Sequence, residues 1–390
     1  MITVDQALAD LFALVSVLEA ETVPLRESNG RVLARDVAAT RDQPPFAASA
    51  MDGYAVSGTA ISAGKTFTVI GEAAAGHRFD GKALPDQAVR IFTGAPLPAG
   101  TDHVIIQENV TRVGDVITLD NSTNDQTYVR PAGADFKKGD LLNAPRLLRP
   151  ADIALLAAMN IPKVPVIRRP TVAIIATGDE LVQPGEIPND DQIIASNSFG
   201  LAALVTDLGA TARLLPIARD NNASLELAFD LAADADLIVT IGGASVGDHD
   251  LVGSVAQAKG MERAFYKVAM RPGKPLMAGK FGKAAMIGLP GNPVSAMVCG
   301  HIFLAPVIRK MQGLDALPAA RETGHLASAI GANGPREHYM RARIDAAGVT
   351  VFDRQDSALL TVLSNANCLA VRPAGDPARG PGDAIDIILI

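Results

Sequence analysis

Apolar residues Val4, Leu8, Leu11, Phe12, Val15 and Leu18 recur at helical spacing, which predicts an amphipathic helix from Val4 to Leu18 with Thr3 as N-cap. After the prolines of Arg41 to Gly53 the texture changes to short β-rich runs: Phe67 to Ile70, Val89 to Phe92, Val104 to Gln107 and Val116 to Leu119. Turn residues separate these runs, so a small all-β domain inserted after the first helix is predicted. Arg149-Pro150 opens a second helix over Ala151 to Met159, Pro162 closes it, and Arg168-Arg169-Pro170 reads as a linker.

From Thr171 onward strands and helices alternate. Val172 to Ala176, Ala212 to Ile217, Leu237 to Ile241 and Ala285 to Leu289 are apolar, strand-length runs, with helices predicted over Ser198 to Leu208, Ala223 to Ala233, Leu251 to Lys259 and Pro293 towards Arg309. This pattern predicts a doubly wound α/β domain. Beyond Gly313 no further helix is predicted. Alternating runs at Tyr339 to Ile344, Val349 to Phe352, Cys368 to Val371 and Ile385 to Ile390 predict a terminal β-barrel or sandwich.

Composition narrows the function classes. A 390-residue chain with 48% hydrophobic and 20% charged residues is globular. A net charge of -7 and the lack of a basic stripe argue against a nucleic-acid partner. Cys299 and Cys368 are too sparse for a disulfide framework and suit a reducing compartment. Met1 to Asp10 lacks the basic and apolar regions of a signal peptide, and every long apolar run is interrupted before 18 residues. The expectation is a soluble cytoplasmic protein with no membrane partner and a small-molecule ligand.

In a doubly wound sheet ligands bind beyond the carboxyl ends of the strands. Asp179, Glu180, Asp220, Ser245, Asp248 and Asp250 follow such ends and are expected on one rim. Gly242, Gly243 and Gly247 let backbone N–H groups approach a phosphate, Ser245 adds a hydroxyl, and the carboxylates call for a divalent cation between them and the anion. Pro290-Gly291-Asn292-Pro293-Val294-Ser295 opens a helix and forms a second anion site. Arg271 and Lys274 supply cations on a Pro/Gly turn. Asp52 and the Arg130 to Asp135 turn are open between turn chemistry and site chemistry, and His249 reads as a solvated loop residue.

Five segments together carry a family resemblance: Ser49 to Val56 (Ser-Ala-Met-Asp-Gly-Tyr-Ala-Val), Thr177-Gly178-Asp179-Glu180-Leu181, Gly242 to Gly247 with Asp250, Arg271-Pro272-Gly273-Lys274-Pro275, and Gly288 to Ser295. In this order and spacing they resemble the MoeA family of molybdopterin molybdenumtransferases, to which the E domain of gephyrin also belongs. The resemblance implies four parts: a split helical and dimerisation segment (1–40 and 141–168), an inserted β domain (41–140), a MogA-like α/β molybdopterin-binding domain (169–315) and a carboxyl-terminal β-barrel (316–390). It implies a homodimer that inserts molybdate into adenylylated molybdopterin with release of AMP, using Mg2+, and it brings in other cofactor-pathway enzymes as partners. Asp220 and Asp250 match the metal-holding carboxylates, Asp135 and Glu180 further acids, and Asp52 an acid contributed across the dimer. Gly242, Gly243, Ser245, Gly247, Pro290, Gly291, Asn292, Pro293 and Ser295 match the substrate loops, and Arg271, Lys274, Arg341 and Ser357 the molybdate site. Two departures stand out: Phe46-Ala47-Ala48-Ser49 lacks the Asp-Asn pair many relatives carry, and Arg271 replaces a Lys found in some. Alternative readings are a molybdopterin adenylyltransferase and a non-catalytic, gephyrin-like scaffold.

Overall fold

A computed structural model describes residues 1–58, 61–123, 126–243 and 251–390. Its centre is a six-stranded sheet built from β1 (Thr171–Ala176), β2 (Thr211–Leu214), β3 (Leu237–Ile241), β4 (Met261–Tyr266), β5 (Met277–Phe281) and β6 (Ala284–Leu289), in the order β2-β1-β3-β6-β5-β4. The first four in that order are parallel, β5 runs antiparallel to them, and β4, antiparallel to β5, runs in the same direction as the first four. Alternation along β1 explains the two layers. Val172 and Ile174 enter a core with helix Asn197–Asp207 and the long helix after β6, whereas Ala173 and Ile175 face helices Asn222–Ala232 and Leu251–Ala258.

The helix after β6 runs from Pro293 to Met311 and contains a proline at 306. A π-helical turn, Gly300–Leu304, precedes it, with Ala305 N donating to Gly300 O, so the register is already shifted where Pro306 lacks an N–H. Its length and apolar character would let it cross a bilayer, but 72% of the apolar window is buried inside the protein, as befits a core helix.

The first helix ends earlier than its apolar pattern, at Leu14, where Val15 turns extended. Thr3 caps its start through a 3.2 Å bond from Gln6 N. The helix packs on the α/β unit. Val4, Ala7, Leu8 and Leu11 pack into the α/β core, and Lys310 Nζ and Lys280 Nζ donate to the terminal carbonyls of Phe12 (2.6 Å) and Leu14 (3.1 Å). What remains of the split segment is mainly β: strands Ala20–Pro24, Lys163–Ile167, Val32–Leu33 and Arg146–Leu147 form a sheet beside helix Pro150–Ala158. The expected linker is clamped. Arg168 makes a two-pronged pair with Asp236 at 2.6 Å in both arms and also reaches Glu19 at 2.7 Å.

The inserted unit is a six-stranded sheet in which Gly53–Val56 lies between His103–Ile106 and Gln87–Ile91. In the carboxyl-terminal unit Gly348–Val351, Glu337–Asp345, Cys368–Arg372, Ala384–Leu389 and Glu322–His325 pair in succession. A bridge between Leu326 and Val349 closes the ring into a small barrel. Met270–Arg271 joins this barrel as a parallel strand, which fastens the Arg271 to Pro275 turn of the α/β unit to it. A short helix, Leu360–Ser364, corrects the expectation of none beyond Gly313.

Candidate active site

At the carboxyl ends of β1, β3 and β6 lies a cleft of about 1070 Å³. Its floor is made by three short loops: Thr177-Gly178 after β1, Gly242-Gly243 after β3 and Pro290-Gly291-Asn292-Pro293 after β6. Backbone proximity dictates the glycines. Gly242 has φ +90°, and a Cβ there would lie 2.9 Å from Thr177 O; on Gly243, at φ +66°, it would lie 2.1 Å from Val252 Cγ2. Thr177 Oγ1 donates to Ile241 O at 3.2 Å, tying the first two loops together.

Three helices begin at the cleft. Asn197 and Ser198, Leu251 and Ser254, and Pro293 come from their first turns and line it, so three positive dipole ends border one volume. Such a volume favours phosphate. Asn197 Nδ2 donates to Gly291 O at 2.7 Å, which holds the third loop in place.

Glu180 and Asp220 line the cleft as expected. Asp220 N donates to Asp179 Oδ1 at 3.1 Å, and Arg219 Nη1 to Asp179 O at 2.8 Å, so Asp179 organises the rim from behind. Among the described residues neither Glu180 nor Asp220 has a side-chain hydrogen bond or ion pair, and no three potential metal-binding side chains gather. Ser245, Gly247 and Asp250, with Asp248 and His249, lie outside the described residues.

Other expected residues stand apart from the cleft. Ser295 is turned into the core at 4% exposure. Arg271 and Lys274 are exposed on a turn held from beneath by Cys299, whose Sγ would be 2.5 Å from a Cβ on Gly273. Arg341 is fully buried (0% exposed); its Nη2 donates to Asp356 O at 3.0 Å while Nε and Nη1 have no hydrogen-bond partner among the described residues. Burial, with Arg271 nearby, holds its guanidinium below the usual range despite the opposing pull of Asp356. A buried guanidinium with two such nitrogens has the donors to hold an anion. Ser357 connects this place to the cleft, since its Oγ accepts from Asn292 Nδ2 (3.0 Å) and its carbonyl from Val294 N (3.0 Å).

Asp52 and Asp135 are exposed on the inserted unit and do not line the cleft of their own chain. Asp52 Oδ1 accepts from both Thr93 N and Thr93 Oγ1 at 2.8 Å. These bonds, and secondarily Arg90, hold its carboxyl below the ordinary range. The sequence reading missed Thr93, 41 positions away. It also missed the Ser196-Asn197-Ser198 lining, although three polar residues at a helix start are a readable signal.

Fold and site thus define an α/β protein whose cleft beyond the sheet suits a phosphate-bearing small molecule. Residues 2–160 match the family described as MoeA N-terminal region (domain I and II), 173–310 the probable molybdopterin binding domain, and 323–390 the MoeA C-terminal region (domain IV). The chain is 39% identical to the molybdopterin molybdenumtransferase of Haemophilus influenzae over 80% of its length and 78% of the relative's. It is 37% identical to the Nostoc sp. protein of the same name, over 95% and 88% of the two chains. The molybdopterin biosynthesis moeA protein of Pyrococcus horikoshii OT3 superposes with TM-score 0.86 at 27% identity over 100% of both chains. This chain belongs to the MoeA family of molybdopterin molybdenumtransferases, enzymes of molybdenum cofactor biosynthesis.

Proposed function

We propose that this protein inserts molybdate into adenylylated molybdopterin, joining molybdenum to the dithiolene sulfurs as the phosphoanhydride is cleaved and AMP leaves. The observation that carries this reading is the cleft of about 1070 Å³ with three helix N-termini on its floor and two carboxylates on its rim. Gly243, Gly291 and Asn292 receive the phosphates through backbone N–H groups, while Gly242, whose own N–H is bonded to Leu289 O at 3.1 Å, and the flanking Pro290 and Pro293 shape the loops. Glu180 and Asp220 are hard oxygen donors that fit a divalent cation, and we assign magnesium to Asp220 together with Asp250. When bound, magnesium neutralises charge on the cleaved anhydride.

Molybdate is assigned to the free donors of Arg341, with Ser357, Arg271 and Lys274 completing the receptor. The Asn292 to Ser357 bond joins this receptor to the phosphate cleft, which supports both substrates being held together. The active form is a homodimer in which Asp52 of the inserted unit serves the cleft of the partner, with Asp135 of the same unit as a further acid. The enzyme is assigned to the cytoplasm, in keeping with its free cysteines Cys299 and Cys368.

The test is AMP release from adenylylated molybdopterin with molybdate and magnesium, followed by reconstitution of a cofactor-free molybdoenzyme. Asp220→Asn should retain nucleotide binding and lose turnover. Consumption of ATP by the protein alone would replace this reading with adenylyl transfer, and binding without turnover in the native protein would favour a scaffold.

A further inference from the structure

At the tip of the inserted unit a closed ring of bonds surrounds Asp52. Gln107 N donates to the Asp52 carbonyl at 3.1 Å, Arg90 Nη2 donates to Gln107 Oε1 at 2.6 Å, and Arg90 Nη1 donates to the Gly53 carbonyl at 3.1 Å. The Asp52-Gly53 peptide closes the circuit. Arg90 stands opposite Tyr54 in the sheet register, and its guanidinium carbon lies over two rings, 5.1 Å from the centroid of Tyr54 and 4.7 Å from that of Phe92. A planar fork held on two aromatic faces and bonded at both ends has little rotational freedom. Gly53 adds rigidity, since a Cβ there would lie 1.9 Å from Ile105 O.

This frame presents one atom. Both Thr93 bonds fall on Asp52 Oδ1, so Oδ2 has no hydrogen-bond partner among the described residues. Stabilising a sheet requires no bonds to both flanks of an exposed aspartate, whereas aiming its free oxygen does.

We propose that Arg90 is a positioning residue for Asp52, gripping the turn on both sides so that the free carboxylate oxygen is presented to the reaction; this rests on the reading that Asp52 serves molybdenum insertion. Arg90 also acts on Asp52 through its charge, which favours the ionised carboxylate. Other acids bordering Arg90 are Glu72, opposite it on the neighbouring strand, and Glu108, bonded to Gln107.

The experiment uses the full chain labelled with 13C at the aspartate carboxyl carbons, with the Asp52 resonance assigned by its loss in Asp52→Asn. In Arg90→Gln the titration midpoint of Asp52 should rise; Arg90→Lys, which keeps the charge without the fork, should recover the midpoint in part but not turnover. In the AMP-release assay Arg90→Gln should lower kcat on the order of tenfold to a hundredfold with KM unchanged. The Arg90→Gln, Asp52→Asn double variant should be no slower than Asp52→Asn alone. An unchanged Asp52 midpoint in Arg90→Gln, or a further full-sized loss in the double variant, overturns the proposal. If Arg90→Gln does not fold, Arg90→Lys carries the turnover comparison and the double-variant comparison with Asp52→Asn, and full turnover in Arg90→Lys overturns the proposal. Absence of AMP release by the native protein would refute the functional reading, while the titration would still decide whether Arg90 controls Asp52.

Discussion

Alanine at Gly243 probes how tightly the backbone is packed at the floor of the cleft. The new Cβ would meet Val252 Cγ2 at 2.1 Å, and Val252 is fully buried in the helix that leaves the cleft. Ordinary carbon contacts lie near ~3.5–4.0 Å, so loop or helix must move by about 1.5 Å. Overpacking of that kind costs about 1–3 kcal/mol. The left-handed backbone at φ +66° adds about 1–2 kcal/mol for any L-residue. Gly185 provides the control, because its φ of +95° carries the backbone cost while a Cβ there meets nothing within 4 Å. Gly243→Ala should therefore lose about 1–3 kcal/mol more than Gly185→Ala in urea denaturation, and weaken AMP binding measured by calorimetry. Equal losses in the two variants, with AMP binding intact in both, would refute the claim that close packing shapes this loop.

Three further outcomes follow from the charged groups. Arg341→Met should stabilise the unliganded protein by about 1–4 kcal/mol, because it removes a buried guanidinium with two unpartnered nitrogens, and should abolish the rise in melting temperature caused by molybdate. Burial, then Arg271, Arg341, Arg372 and Arg336, pushes His338 down to about 4. The unfolded chain takes up its proton first, so stability should fall between about pH 6.5 and 4, by up to about 3 kcal/mol, and His338→Gln should flatten that part of the profile. Burial works to raise the Asp236 carboxyl, but the Arg168 fork and the Thr171 amide outweigh it and hold the group low. That stability is present above the unfolded value near ~3.9 and lost as pH falls through the lower folded value; Asp236→Asn should cost about 1–2 kcal/mol at pH 7, read by denaturant titration at both pH extremes.

Local pattern made much of this legible. The β-branched run before Gly242 became β3 with the predicted bounds, and the loops following β1, β3 and β6 meet because parallel strands bring their carboxyl ends together. What escaped the sequence was long-range. The first helix packs on the α/β unit through Val4, Ala7, Leu8 and Leu11, and Lys280 and Lys310, far along the chain, cap its carbonyls. Periodicity placed Arg341 in a strand but could not reveal that its guanidinium would be fully buried, nor that Ser295 would turn inward. The Asp52 clamp by Thr93 likewise depends on how the inserted sheet brings distant positions together. The glycine loop was readable through its first two residues, whose φ angles confirm the need for glycine.

The most direct measurement is single-turnover AMP release from adenylylated molybdopterin by the purified native protein, with molybdate and magnesium supplied or withheld. The account predicts stoichiometric AMP and a cofactor that activates a molybdenum-free apoenzyme, with both lost in Asp220→Asn. Nucleotide bound in the cleft with no AMP released under any of these conditions would contradict it.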